Sequence, residues 1–239
     1  MNESLGRKVE DLERLLVRAH LEHAPAALAS SLSAEDMVIT DAILRHKLGI
    51  EIFTLDTGRL HADTLNVISA IRERYAYDVR VFRPDPAAVA EYVERFGRDA
   101  FYESVDLRKR CCHIRKVEPL ERALAGKEAW ITGQRRDQAA TRAGLNVREY
   151  DEARGIVKFN PLADWTEGEV WDVIRERDIP YNALHDQGYR SIGCAPCTRP
   201  TVAGEDVRAG RWWWELRDAR ECGLHVAPDG RLVRSREPA

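Results

Sequence analysis

Apolar positions recur along the chain with two periods. Over residues 4–23, SLGRKVEDLERLLVRAHLEH, Leu12, Leu15, Leu16 and Ala19 fall on one stripe at helical spacing, which predicts an amphipathic helix that covers a core. Short apolar runs then alternate with helical patterns. AALASSL (26–32), IEIFTLDT (50–57) and DVRVFRP (78–84) predict strands, and EDMVITDAILRHK (35–47), HADTLNVISAIRERYA (61–76) and PAAVAEYVERFG (86–97) predict the helices between them. HIRKVEPLERALAG (113–126) continues as a helix, EAWITGQR (128–135) as a strand, and GIVKFNPLADW (155–165) as a strand running into a loop. TEGEVWDVIRERD (166–178) opens with Thr166 and Glu169 at capping-box spacing. Strands alternating with helices through short connections predict an α/β fold, a doubly wound and mainly parallel sheet with helices on both faces.

The last third breaks the alternation. YNALHDQGYRSIGCAPCTRP (181–200) is a loop punctuated by Gly and Pro, GEDVRAGRWWWELRDA (204–219) predicts a helix, and ECGLHVAPDGRLVRSREPA (221–239) is a polar tail too poor in apolar residues to build a core, expected to be mobile. The organisation expected is an N-terminal helix (1–24), an α/β domain (25–205), and a C-terminal helix and tail (206–239). Of the three consecutive tryptophans, Trp212, Trp213 and Trp214, core packing is expected to use at least two.

Composition changes this picture little. Of 239 residues, 44% are hydrophobic and 32% charged, and the net charge is −3, so no large field for nucleic acid or membrane is present and any basic site must be local. The opening MNESLGRKVEDLERLL has alternating charges and no signal-like apolar run, and no later stretch approaches a membrane span, so a cytoplasmic protein is expected. Five cysteines, an odd number, argue against a disulfide framework and for metal or catalytic roles in a reducing compartment.

Cysteine is where candidate chemistry enters. Cys111 and Cys112 stand side by side within RKRCCHIRK, and Cys194 and Cys197 form a C-x2-C pair. Four thiolates suit a tetrahedral zinc or an iron–sulfur cluster. The adjacent pair is unusual for zinc, whose paired ligands are normally separated by two to four residues, whereas a cubane accepts more divergent sulfurs if the helix is distorted there. Two other readings stay open: small core residues at Cys111 and Cys112, and a redox pair at Cys194 and Cys197. The fifth, Cys222, lies near His225 in the polar tail, where a thiol buries nothing; a nucleophile that visits two partners and an incidental surface cysteine are both consistent with that position.

Several loops have the character of a nucleotide site. SSLSAED (30–36) leads from a strand into a helix, whose first amides attract anions, although Ser33 or Asp36 capping explains the same residues. LDTG (55–58) ends the next strand, at the edge where doubly wound sheets bind ligands, and TGQRRDQAATR (132–142) follows another. Lys116, Arg142, Arg208 and Arg211 fall near these elements, as clamping a polyanion would require, against the alternative of a solvated charged face.

Taken in order, SSLSAED, TLDTGRLHADT, KRCCHIRKVEPL, TGQRRDQAATR, FNPLADWTEGEVWDVI, IPYNALHDQGYRSIGCAPCT, GRWWWE and ECGLH closely resemble the assimilatory adenylyl-sulfate reductases, from about residue 26 to 226. Relatives acting on 3′-phosphoadenylyl sulfate share the tail motif and generally lack both cysteine pairs. The resemblance implies an adenine-nucleotide α-hydrolase-like (Rossmann-like) fold. It implies a [4Fe-4S] cluster on Cys111, Cys112, Cys194 and Cys197, Cys222 as nucleophile, and an S-sulfocysteine that thioredoxin or glutaredoxin resolves to sulfite. It also implies that Lys116, Arg142, Arg208, Arg211 and His225 hold the phosphosulfate and that Ser31, Leu55 and Gly133 line the adenosine pocket. The loop Ser31–Asp36 lacks the SGGxDS of ATP-cleaving pyrophosphatases. That counts against a tRNA-thiolating enzyme, and a zinc-stabilised binding module would have no use for Cys222. A 3′-phosphoadenylyl-sulfate or dual-substrate reductase is the nearer alternative. Neither nucleic acid nor membrane is implied as a partner, and a homo-oligomer is compatible with the sequence.

Overall fold

A computed structural model describes residues 2–215, and in it the two periods sort into a single sheet flanked by helices. In chain order the elements are α1 (Glu3–Glu22), β1 (Ala26–Ser30), α2 (Ala34–Arg45), β2 (Glu51–Leu55), α3 (Ala62–Tyr75), β3 (Arg80–Phe82), α4 (Pro86–Phe96), α5 (Val105–Cys112), α6 (Glu118–Leu124), β4 (Ala129–Ile131), β5 (Arg148–Asp151), β6 (Ile156–Phe159) and α7 (Glu167–Arg177). The strand order is β3-β2-β1-β4-β6-β5. All neighbours are parallel except β5, which pairs antiparallel with β6 at the edge and which the apolar pattern did not announce. Its sequence, REYD, carries too little apolar alternation to signal a strand, and partner hydrogen bonds alone define it.

Period-two alternation builds two cores. Ala26 and Leu28 of β1, Ile52 of β2, and Ala129 and Ile131 of β4 pack with α1, α2 and α7 on one face. Ala27, Phe53 and Trp130 point the other way, onto Leu120, Ala123 and Leu124 of α6. The stripe expected on α1 is realised by Leu5, Val9, Leu12, Leu16 and Ala19, while Leu15 is only partly buried. The α7 capping box is present, with Thr166 Oγ1 accepting from Glu169 N–H at 3.2 Å and Glu169 Oε2 accepting from Thr166 N–H at 2.8 Å.

Two expectations need correction. The helix expected over 113–126 begins with a π turn, His113–Val117, between α5 and α6. Pro119 has no N–H for the carbonyl one turn back, and its ring crowds that carbonyl, so the preceding turn widens. The helix expected over 204–219 is absent from its described part, 204–215, which is a series of turns. Gly204 and Trp212 take positive φ, 87° and 44°. Residues 198–199 hold the segment as a ribbon, through a bridge from Thr198 to Arg211 and an Arg199 N–H bond to the Gly210 carbonyl at 3.0 Å. A side chain at Gly210 would meet the Arg199 carbonyl oxygen at 2.2 Å, so only glycine allows that approach. Of the three tryptophans, Trp212 is buried, Trp214 half-buried, and Trp213 exposed.

Among the described residues no helix is long and apolar enough to cross a membrane.

Candidate functional site

From the adjacent strands β1 and β4 the connections diverge, and ligands of doubly wound sheets bind in the crevice beyond such a switch point. A cavity of about 210 Å³ lies there. Ser31 reaches it from the end of β1, Leu55 from the end of β2, and Gly133 from the loop after β4. Lys116 enters from the π turn, Arg142 from the 3-10 turn Ala140–Arg142, and Arg208 and Arg211 from the ribbon after Cys197. Seven residues expected from distant parts of the sequence therefore share one cavity. The eighth, His225, and the nucleophile candidate Cys222 lie outside the described residues.

The loop before α2 is built around a buried carboxylate. Asp36 Oδ2 accepts from Ser31 N–H at 2.6 Å and from Ser31 Oγ at 2.5 Å. Burial pushes the Asp36 carboxyl up to about 6, against those hydrogen bonds, which favour the charged form. A Cβ at position 133 would sit 2.3 Å from Asp36 Oδ1, so glycine is what lets the β4 loop close on this one. Glu35 is likewise turned inward, bonded to Arg135 at 3.0 Å and to Gln138 at 3.0 Å. Both acids among the lining residues thus serve the loops, and Lys116, Arg142, Arg190, Arg208 and Arg211 provide the cavity's positive charge.

Ser33 takes the N-cap backbone conformation of α2 and makes no side-chain capping bond. The amide of Ala34 donates instead to His185 Nε2, at 3.3 Å. Of the two capping residues expected from the sequence, Ser33 makes no such bond and Asp36 turns its carboxylate to Ser31, while the partner of the first amide is 151 residues away.

Arg211 is buried, donates to the Ile192 carbonyl at 3.1 Å, and lies over the Trp212 ring at 4.6 Å. It passes where a Cβ at position 193 would be 2.4 Å from its Nη2, which explains the glycine in YRSIG. Arg190, Ser191 and Ile192 of the same stretch line the cavity without having been singled out; their neighbourhood to the C-x2-C pair was the available signal. Gln134 and Gln138 were missed for the same reason, that a polar loop residue reads as solvated until its surroundings are known.

A second, smaller cavity of about 20 Å³ adjoins the first and is lined by Cys111, Cys112, Cys194 and Cys197. Lys116, Arg211 and Trp212 line both. The adjacent pair ends α5 where the π turn begins. The C-x2-C loop is pinned on both sides, through a bridge from Leu60 to Cys194 and a bond from Trp212 N–H to the Cys197 carbonyl at 3.1 Å. Thr57 Oγ1 lies 3.2 Å from Cys194 Sγ. None of the four is in a disulfide. Burial holds Cys111 above the ordinary thiol range; Cys197 is pushed up to about 12, by burial first and by Cys194 second, with Lys116 and Arg211 acting in the opposite sense. Among the described residues the cavity wall includes no His, Asp or Glu, and the metal donors it offers there are sulfur, the set that soft metals take. Among the described residues no three His, Cys, Asp or Glu side chains are grouped as a single metal ion would need.

Residues 25–200 match the phosphoadenosine phosphosulfate reductase domain family. The chain is 59% identical over 222 residues to a Burkholderia cepacia protein named adenosine 5′-phosphosulfate reductase, covering 93% of this chain and 89% of that one. An Allochromatium vinosum protein of the same name is 58% identical over 197 residues, 82% of this chain and 77% of that one. Among solved structures, a Candida auris phosphoadenylyl-sulfate reductase in complex with phosphate superimposes with a TM-score of 0.69 at 25% identity, covering 83% of this chain and 98% of that one. A Candida glabrata FMN adenylyltransferase shares the fold, with a TM-score of 0.56 at 12% identity over 91% of this chain and 77% of that one.

Proposed function

We propose, from the premise that the chain belongs to the phosphoadenosine phosphosulfate reductase family, that it is an oxidoreductase which reduces adenylyl sulfate to sulfite and AMP with electrons from a thioredoxin or glutaredoxin. The observation that carries this reading is the shared wall, Lys116, Arg211 and Trp212, which sets a cationic cavity at the sheet's switch point against a cavity of four cysteines.

In this reading the Cys222 thiolate attacks the sulfur of the sulfate group, the S–O bond to AMP breaks, and the enzyme carries an S-sulfocysteine. A thiolate of the reductant then attacks Cys222 Sγ, sulfite leaves with the bonding pair, and the mixed disulfide is resolved by the reductant's second thiol. Attack on an anionic group is opposed by repulsion. Lys116, Arg142, Arg208 and Arg211, with His225 from the tail, offset that repulsion and stabilise the charge developing on the departing phosphate. Ser31, Leu55 and Gly133, at the strand ends, receive the adenosine.

The soft donor set fits an iron–sulfur group, with Cys111, Cys112, Cys194 and Cys197 as its ligands. Bound there, a [4Fe-4S] cluster would supply a fixed charge beside Lys116 rather than the electrons, which arrive as thiols. Anaerobically purified protein is expected to be brown with about four irons per chain, as a [4Fe-4S] cluster implies. Replacing Cys194 or Cys197 with Ser is expected to remove most of that iron; stoichiometric zinc in a colourless protein would sink the assignment.

Sulfite release in the presence of thioredoxin tests the reaction itself. With adenylyl sulfate the kcat/KM should exceed that with 3′-phosphoadenylyl sulfate by at least about 100-fold, a difference of about 3 kcal/mol. A preference for the 3′-phosphorylated nucleotide would move the assignment to the other branch of the family.

A further inference from the structure

We propose that His185 is a positioning residue for the substrate, whose Nε2 lone pair holds the first amide of α2 and thereby the loop 31–36 that lines the nucleotide cavity. This rests on the reading of that cavity as the sulfonucleotide site. The stretch LHDQGY contributes nothing to either cavity wall, yet it places a ring at the base of the substrate loop.

Four observations converge on it. Ala34 N–H, one of the first-turn amides of α2 that have no partner within the helix, donates to His185 Nε2 at 3.3 Å, and Ser33 makes no side-chain capping bond. The residues on either side of Ala34, Ser33 and Glu35, line the cavity, as do Ser31 and Asp36. The ring is itself held, edge-on to Trp171 of α7 at 5.2 Å between centroids and on the 3-10 turn Ala183–Gln187. That turn is fixed in place by Asn182, fully buried, which bonds Thr64 Oγ1 at 2.9 Å and caps the turn through Leu184 N–H at 3.1 Å.

Because Nε2 accepts, the neutral ring carries its proton on Nδ1. Protonation of Nε2 would replace an acceptor by a donor and put a positive charge against the positive end of α2. Burial lowers the His185 pKa, although Glu35 of α2, Glu167 of α7 and Asp186 of its own turn all favour the charged form. Each of those acids has another partner: Glu35 pairs with Arg135, Glu167 with Arg190, and Asp186 accepts from Tyr181 Oη at 3.2 Å. The lone pair is thus available at neutral pH and is lost as pH falls through the lowered value.

The test compares His185→Phe, which keeps an aromatic ring against Trp171 without an acceptor, with His185→Gln, whose Oε1 can accept from Ala34 N–H and does not titrate. His185→Phe is expected to raise KM for adenylyl sulfate, and Kd for AMP by calorimetry, about tenfold, as an unmet buried amide implies, with kcat changed less than about twofold. His185→Gln should return both to within about threefold of the parent. Below pH 6.5 the parent's Kd should climb more steeply than that of His185→Gln; Asp36 titrates in both proteins, so the difference between them is the readout. Parent-like binding by His185→Phe, equal impairment of the two variants, or identical acid limbs would each overturn the proposal. If His185→Phe fails to fold, the Gln variant and its acid limb decide. If the parent does not turn over adenylyl sulfate, the substrate reading fails, and AMP binding still decides the role of His185.

Discussion

A Cys222→Ser protein is expected to lose sulfite production by at least about 10³-fold while still binding adenylyl sulfate, as removal of a covalent nucleophile implies. The likeness of ECGLH to the tail of the adenylyl-sulfate reductases implies this role for Cys222. Cys111, Cys112, Cys194 and Cys197 all line the same small cavity, three of them buried, and as ligands of one group there they would not be available to attack substrate. Cys222 is the remaining cysteine of the chain. Incubation with adenylyl [35S]sulfate in the absence of thiols should label the parent protein and leave Cys222→Ser unlabelled. The label should leave as sulfite when thioredoxin is added. Equal labelling of both proteins would refute the S-sulfocysteine.

The second large effect concerns what ties the cysteine helix to the end of the described chain. Arg108, in α5 three residues before Cys111, is fully buried and makes a two-pronged ion pair with buried Glu215, Nε to Oε1 at 2.8 Å and Nη2 to Oε2 at 2.8 Å. Its guanidinium also lies over the Trp212 ring at 4.7 Å. Removing one partner of such a pair leaves a buried charge without its counter-ion, a cost of about 3–5 kcal/mol, while replacing both by apolar residues of similar volume is often near neutral. Glu215→Gln is therefore expected to lower the melting temperature by about 10 °C or more, and Arg108→Met with Glu215→Leu to recover most of it. Thermal melts of the two single variants and the double variant close a cycle. Equal destabilisation by the double and the sum of the singles would show that the pair acts as two independent side chains.

The alternation of strand and helix was legible because it is local. Period two on AALAS and IEIFTL and the Thr166–Glu169 capping box depend on neighbours a few residues apart, so they predicted β1, β2 and α7 with little error. The motifs likewise named seven of the residues that meet in the larger cavity. Signals failed where the deciding partner is remote. The antiparallel strand β5 exists through its ladder to β6, and the helix expected after residue 204 gives way to a ribbon because residues 198–199 offer its backbone other hydrogen bonds. His185 looked like one polar residue in a loop, and the amide it accepts from lies on α2.

Local pattern thus set the class of fold, the order of its elements apart from α5, β5 and the segment after residue 204, and the inventory of chemistry: thiols in two pairs, a fifth cysteine in the tail, and scattered cations. Only the tertiary structure decided that these cations share one cavity, that both acids of that cavity are turned into its loops, and that Lys116, Arg211 and Trp212 form its common wall with the cysteines. The physical reason is the range of the forces involved. Hydrophobic period and capping act over a turn or two of chain, whereas burial, charge pairing and hydrogen-bond satisfaction are settled between groups that sequence separates by a hundred residues and folding brings within 3 Å of one another.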